Sequence, residues 1–394
     1  MKHGIFLQHG HTARKHKNAV RCDITAIIGF ALPDVWPEGM EEGDFLEILL
    51  LKEHDLVNHP LRGAVDPASQ MAVRNFFVNG GEEIHLFAVC IKNLNQIFSG
   101  LDLQQLIGNL LDRLRAEEDI GLIIAPAAAY FPIHIHKTGE VEVASELFYE
   151  CLLSHCQEMN NRFLIIDPPQ TLHDRYLYRW IQDFRKRNSA HSSYGAIYYP
   201  WLHYLEQSFP PSASMAGLYV RVERDHPPMG IHWPPGNVPL EGVTHAEIDL
   251  EWRESEELSQ NSINPLVVQP GRGIVPLGVR TLSLDPTFQH INSRRILNLI
   301  VEQIRRDNMW AVFETNNAHL WAVLNRDIRY RLKTFWDAGL LLPNENGTKF
   351  EVLCDEMNNP TELRDAGFVN VEIRVKPIGS IEQIVIDLNI GGGL

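Results

Sequence analysis

Phe163-Leu-Ile-Ile-Asp167, stopped by Pro168-Pro169, reads as a short buried strand. Two segments like it flank it, Gly121-Leu-Ile-Ile-Ala125 and Tyr194-Gly-Ala-Ile-Tyr-Tyr199. Between and before them the pattern is helical. Leu103, Leu106, Ile107, Leu110, Leu111 and Leu114 fall on one helical face, and helices are expected over 141–160 and 172–187. Short apolar strands alternating with helices predict a parallel sheet with crossover helices. Toward the N-terminus, Ile24 to Phe30 adds another buried strand. A helix over 68–78 follows, ended by Gly80-Gly81, and then a strand over 83–89.

Toward the C-terminus the rhythm breaks. Residues 209–264 read as irregular, with Pro210-Pro211, Pro227-Pro228 and Pro234-Pro235. An acidic run within this stretch, Glu241 to Glu257, reads as a solvated loop or helix face. The last third reads as a separate α+β unit. Strands are expected at 274–281, 310–314, 350–354, 369–375 and 381–388, and helices at 291–306 and 318–338. The predicted organisation is an N-terminal arm (1–20), an α/β domain (21–265), a C-terminal α+β domain (266–380) and a C-terminal arm (381–394).

The 394 residues are ordinary in composition, 44% hydrophobic and 22% charged, which argues against wholesale disorder. With 35 Lys and Arg against 50 Asp and Glu the net charge is −15, unsuited to a general nucleic-acid coat. Five widely spaced cysteines without a Cys-x-x-Cys pair predict a reduced, intracellular protein. The basic, His-rich start to His16 has no apolar segment of a secretory signal. No apolar run approaches the roughly 18–20 residues that span a bilayer.

A search for chemistry returns little. His134 and His136 share a strand face and could reach one ion, but no third ligand is placed, and no metal or cofactor is expected. Gly271-Arg-Gly273 and Gly80-Gly81 read as turns needing positive φ and not as phosphate loops. Ser283 before Leu284-Asp285-Pro286 reads as a helix-entry turn with a capping side chain. In the long helix, Trp321, Leu324, Ile328, Leu332 and Phe335 make an apolar core stripe. Arg326, Arg329 and Lys333 make a basic one, either a solvated face or a docking surface for an acidic partner. At the two ends, Ile5-Phe6-Leu7 and Ile384-Val385-Ile386-Asp387-Leu388 are short extended segments. They can complete their own sheets or pair with another chain's exposed edge.

Taken together and in order, these segments resemble the contractile tail sheath proteins of bacteriophages and related injection systems. Pro270 to Ser283, Asp285-Pro286, Arg294-Arg295, Trp310-Ala-Val-Phe-Glu-Thr-Asn-Asn317, Leu320-Trp321, Phe335-Trp336 and Gly339-Leu340 carry the resemblance in the C-terminal half. Ser192 to Trp201, Gly230 to Asn237, Ala72 to Gly81 and Thr25 to Gly29 carry it upstream. His3-Gly4-Ile5-Phe6 departs from the family's opening Pro-Gly-Val-Tyr. The chain is also short for the family, with little room for added surface domains.

The resemblance implies a structural subunit and not an enzyme. It implies an α/β sheath domain plus a C-terminal α+β domain with extended terminal arm strands. Subunits would stack as hexameric rings around an inner tube and contract. Ile5, Phe6, Leu7 and Ile384 to Leu388 would be inter-subunit arm strands, joined by linkers at about 8–20 and 376–380. Arg326, Arg329 and Lys333 would be the candidate tube-facing surface. The implied partners are other copies of the chain, the inner tube protein, and baseplate and terminal cap proteins, with no nucleic acid and no membrane insertion. The implied place is the cytoplasm of a producing bacterium, in a phage tail or injection particle. Two alternatives stand beside this reading: a baseplate-proximal or terminal ring protein, and a soluble α/β enzyme with a site near Pro126, Asp167 and Pro200.

Overall fold

The computed structural model describes residues 5–7, 20–31, 34, 36–92, 100–137, 141–379 and 384–390. The linker expected at 8–20 thus lies outside the described residues except for Val20, as do Ser380 of the second linker and the Gly391 to Leu394 tip.

The first half builds one sheet. Its elements are β1 (Ile5–Leu7), β2 (Ile24–Ala31), β3 (Phe45–Leu50), α1 (Glu53–Val57), α2 (Pro67–Val78), β4 (Ile84–Cys90), α3 (Gly100–Ala116) and β5 (Ile120–Ile124). All eight residues of β2 are buried, because helices cover both faces of a mostly parallel sheet. Helix α2 starts where Asp66 bridges two elements. Its Oδ1 accepts from Ser69 N at 2.8 Å and its Oδ2 from Phe30 N of β2 at 2.9 Å, with Pro67 at the first helical position.

The middle follows with β6 (Ile133–Ile135), β7 (Val141–Val143), α4 (Glu146–Met159), β8 (Phe163–Ile166), α5 (Asp174–Arg187), β9 (Gly195–Tyr199), β10 (Leu202–Tyr204) and β11 (Gln207–Phe209). The helix expected over 141–160 is therefore two elements. Val141-Glu-Val143 alternates and pairs antiparallel with β6, and only Glu146 onward is helical. Helix α6 (Ser212–Asp225), β12 (His245–Ala246) and α7 (Trp252–Gln260) correct the irregular stretch, and β13 (Ile263–Gln269) and β14 (Gly273–Pro276) run on from its end. Helix α6 is buried nearly all round, so it has no polar face to give it a helical period, and its small residues read as loop. A Cβ on Gly217 would lie 2.3 Å from Phe76 O, so α6 can pack on α2 only with glycine there. The acidic run is largely solvated, and within it α7 buries only Ser255 and Leu258.

The nine-stranded order is β1-β3-β4-β2-β5-β8-β9-β13-β14. Pairings are parallel except β3 with β4 and β13 with β14. The β13–β14 hairpin lies across the boundary drawn at residue 265. It turns on Gly271 and Gly273, both at positive φ (77° and 90°), and the expected strand 274–281 stops at Pro276. One hydrophobic cluster fills each face of this sheet.

The C-terminal unit holds α8 (Ile291–Asp307), α9 (Ala318–Asp337), β15 (Leu341–Leu342), β16 (Glu351–Leu353), α10 (Thr361–Asp365), β17 (Val369–Pro377) and β18 (Ile384–Ile390) around a third cluster. Strand β17 alternates strictly between buried and half-buried, so one face of its sheet covers α8 and α9. The strand expected at 310–314 is a short 3-10 turn, Met309–Phe313. Apart from the buried Ala311 its apolar residues face outward, Phe313 at 98% exposure, so burial did not select an extended backbone there.

Candidate assembly surfaces

Both terminal segments lie at sheet margins. Strand β1 forms the edge of the nine-stranded sheet and runs parallel to β3, with Ile5 opposite Leu46, Phe6 opposite Glu47 and Leu7 opposite Ile48. Strand β18 runs antiparallel to β17, with Ile384 opposite Val375, Val385 opposite Arg374, Ile386 opposite Ile373, Asp387 opposite Glu372 and Leu388 opposite Val371. In the single chain, each terminal strand thus pairs with a strand of its own chain.

The N-terminal segment enters the body through a charged root. Arg21 grips Asp23 at 2.6 Å and Glu83 at 2.5 Å, and Val20 N donates to Gln303 Oε1 of α8 at 3.1 Å. His85 lies between Glu83 (3.5 Å) and Glu47 (3.7 Å), and Arg113 holds Glu47 at 2.8 Å. Burial alone would lower the His85 imidazole, but the two carboxylates outweigh it and raise it to about 9. Burial would raise the Glu83 carboxyl, but His85 and Arg21 hold it down to about 2.

The sign of each contribution follows from these directions. The His85 contribution is complete below its unfolded value of about 6.5 and is lost as pH rises through about 9. The Glu83 contribution is present above its unfolded value of about 4.3 and is lost as pH falls toward about 2. The difference in thermal midpoint between wild type and His85→Gln should therefore shrink from pH 6.5 to 9.5. A difference that stays constant over that range refutes this account of the root.

Helix α8 clamps the two units together. Arg295 forms an ion pair with Glu223 of α6 at 2.5 Å and donates to Cys22 O at 3.1 Å, and all three groups lie in the seam. Asn298 donates to Arg162 O at 3.0 Å, and Arg306 reaches Asp119 at 2.8 Å and Glu302 at 2.5 Å. Burial pushes the Glu223 carboxyl up, and Arg295 pulls it back. Sequence reasoning quoted Arg294-Arg295 only as part of a motif. The available signal was the run of polar residues (Asn292 to Arg295, Asn298, Glu302, Gln303) on a helix with too few exposed positions to hold them.

The long helix behaves as its pattern predicts. Trp321, Leu324, Ile328, Leu332 and Phe335 are buried. Arg326, Arg329 and Lys333 are exposed on the opposite side but are not equivalent. Arg326 pairs with Asp327 at 2.9 Å and Lys333 with Asp337 at 2.7 Å. Arg329 donates only to Asn325 Oδ1 (2.6 Å) and Val352 O (3.1 Å), so it is the stripe's one charge without a carboxylate among the described residues.

The other candidates fall in separate places. His134 and His136 pack edge to face at 4.6 Å beside Glu142, and among the described residues no group of three or more His, Cys, Asp or Glu could hold a metal. Asp285 caps a short turn by accepting from Thr287 N at 2.9 Å, and Ser283 Oγ accepts from Asp285 N at 3.1 Å, as the helix-entry reading expects. The carboxyl ends of the parallel strands are filled by protein. Asp167 is fully buried and caps α6 through Ser212 N at 2.9 Å, and Trp201 Nε1 donates to Pro168 O at 2.8 Å. Burial pushes the Asp167 carboxyl up to about 7. None of the five cysteines is in a disulfide, and no described helix is long and apolar enough to cross a membrane.

A helix-covered, mostly parallel sheet, a clamped α+β unit and terminal strands at the sheet margins define a two-unit structural class with the chain ends at its edges. Residues 283–391 match the phage tail sheath C-terminal domain family. The tail sheath protein of Vibrio phage KVP40 is 31% identical over 149 residues, 38% of this chain and 21% of that one. The tail sheath protein of Enterobacteria phage T4 is 24% identical over 350 residues, 81% of this chain and 51% of that one. The chain thus spans about half or less of the length of these curated relatives. In fold, it matches a chain of the anti-feeding prophage baseplate (TM-score 0.69, 20% identity, 98% and 97% of the two chains covered). It likewise matches the helical sheath of that particle in its contracted state (TM-score 0.66, 20% identity, 98% of each chain covered). Residues 283–391 are thus similar to the tail sheath C-terminal domain, and the chain has the mixed α/β and α+β fold of contractile-system sheath proteins.

Proposed function

We propose that this protein is the repeating subunit of a contractile sheath, stacked as hexameric rings around an inner tube. The observation that carries the reading is the pairing of both terminal strands at the margins of their sheets. A strand that closes its own chain's edge can instead close a neighbour's with the same hydrogen bonds. The strands Ile5 to Leu7 and Ile384 to Leu388 then become inter-subunit arms. Residues 8–20 become one joint about which subunits rotate without dissociating, and residues 378–380 the other, because Lys376 and Pro377 of the linker expected at 376–380 belong to β17 and pair with β15. The other partners are the tube protein and baseplate and cap proteins. Assembly takes place in the cytoplasm of the producing bacterium.

The work of contraction is conformational. At about 25 cal/mol per Å2, about 200 Å2 of newly buried apolar surface per subunit gives on the order of 5 kcal/mol. Summed over a long sheath, this suffices to drive a tube through an envelope, and no step of the mechanism calls for a nucleotide. Negative-stain electron microscopy of the purified chain, alone and with the tube protein encoded beside it, tests the reading. Striated tubes or rings wide enough for an inner tube are expected, and monomers under both conditions would count against it. A baseplate-proximal ring is the second reading, favoured by the fold likeness to the baseplate chain, and single rings that never elongate would select it.

The basic stripe is assigned to the tube-facing side. Reversing the charge of Arg326, Arg329 and Lys333 together should abolish co-assembly with the tube and leave the thermal midpoint within about 2 °C of wild type, as for surface substitutions. Arg329 alone should account for most of the loss, because the other two already share their charge with Asp327 and Asp337. Co-sedimentation with the tube at the wild-type level would remove this assignment.

A further inference from the structure

Among the described residues four arginines are buried: Arg162, Arg185, Arg294 and Arg295. Three have acceptors. Arg162 donates to Glu117 O, Arg185 to Asn261 O at 2.9 Å, and Arg295 to Cys22 O with Glu223 as its ion-pair partner. Arg294 has neither a carboxylate nor a hydrogen-bond acceptor among the described residues, and its Nε is buried and unpaired. Its guanidinium is instead sandwiched, 4.4 Å from the ring centre of Tyr194 and 4.4 Å from that of Phe288.

Ring faces attract a cation but do not accept the in-plane N–H groups of a guanidinium, whose fork matches a carboxylate. A buried charge without a partner opposes folding, and burial lowers the Arg294 pKa accordingly. The slot nevertheless remains reachable, since Arg294 keeps 7% exposure. Phe288 sits on the turn that also carries Leu284, an apolar residue 65% exposed beside the slot, with Gln289 Nε2 donating to Leu284 O at 3.1 Å.

We propose that the Tyr194–Arg294–Phe288 slot receives a carboxylate side chain from a second copy of this chain, with Leu284 at the rim of that contact. The inference rests on the self-assembly reading above. The chain supplies suitable donors: it has 50 acidic residues, and Glu256, Glu257 and Glu314 are exposed with no ion pair among the described residues. Unfilled, the slot weighs against the free subunit. Filled, it gives each subunit a desolvated, bidentate contact whose geometry fixes the neighbour's position.

Two measurements on the full-length chain test this. Below the assembly concentration, acetate replacing chloride at constant ionic strength should raise the thermal midpoint of wild type in a dose-dependent way and leave that of Arg294→Met unchanged. Met keeps the stem between the rings and removes the charge, so this variant should unfold at or above the wild-type midpoint. Its assembly threshold concentration should rise at least about tenfold, as for a lost buried charge pair. Arg294→Lys, which keeps charge but loses the planar fork, should fall between and serves as the second variant if Arg294→Met does not fold. An acetate response shared by wild type and variant overturns the proposal, as does assembly of the variant at the wild-type threshold. Loss of binding to the tube protein alone, with self-assembly intact, also overturns it and assigns the slot to that partner. A wild type that never assembles refutes the polymer reading instead, and the acetate comparison still decides whether the slot takes a carboxylate.

Discussion

Deleting residues 381–394 is expected to leave a folded, monomeric chain that forms no sheath. Strand β18 contributes one margin of the C-terminal sheet, and β17 keeps β16 and β15 on its other side. The buried face of β17 and the packing of α8 and α9 beneath it are likewise untouched, so the unit retains its core. What is lost is the pairing of Val369 to Val375 with Ile390 to Ile384, seven residue pairs of main-chain recognition. If the sheath is held by exchange of that strand, its loss removes the donor from every subunit at once, so the effect is all or none. The exposed β17 edge should also recapture a synthetic peptide of Ile384 to Ile390, detectable by fluorescence anisotropy. Size-exclusion chromatography and electron microscopy read the assembly. Deleting the first 20 residues should act in the same way through β1. Long sheaths from either truncation would sink the strand-exchange account.

The second large effect is at the seam. Arg295→Ala should destabilise the chain by about 3 kcal/mol, because it leaves the half-buried Glu223, whose Oε1 is itself buried, without its cation. The loss should be greatest at neutral pH. Burial already raises the Glu223 carboxyl, and removing Arg295 raises it further. A raised carboxyl contributes stability below its unfolded value of about 4.3 that is lost as pH rises through its folded value. The variant should therefore regain stability relative to wild type as the solution is acidified. The double variant Arg295→Met with Glu223→Leu should recover most of the loss, since an apolar pair of similar volume often replaces a buried ion pair without cost. Urea unfolding at pH 7 and pH 5 measures both. A single variant within about 1 kcal/mol of wild type would show that the seam is held by its apolar contacts alone.

The regular part of the fold was legible because its signals are local. Apolar runs such as Phe163 to Ile166 become strands buried on both faces, and the stripe Trp321 to Phe335 becomes the buried side of α9. The Gly271 turn and the Asp285 cap were legible for the same reason, since each is settled within a few residues. The errors have one cause too. Helix α6 lies buried against α2 and the sheet and so lacks an amphipathic period, and the Trp310 run was read as a strand although Trp310, Val312 and Phe313 face solvent. In both cases the environment that decides the element comes from residues distant in the chain.

The sequence by itself determined the alternation of buried strands and helices around Phe163, the buried stripe of α9, the two extended chain ends and the resemblance to tail sheath proteins. Each is written in periodicity, turn residues or ordered motifs. The tertiary structure alone decided which strands lie at the sheet margins and which acid serves each arginine. It separated Arg295, paired with Glu223, from Arg294, held between two rings with no acceptor among the described residues, although the two are adjacent in the chain. Charge pairing depends on distance and burial, and both are properties of residues brought together from afar, such as Glu223 with Arg295 and Tyr194 with Arg294.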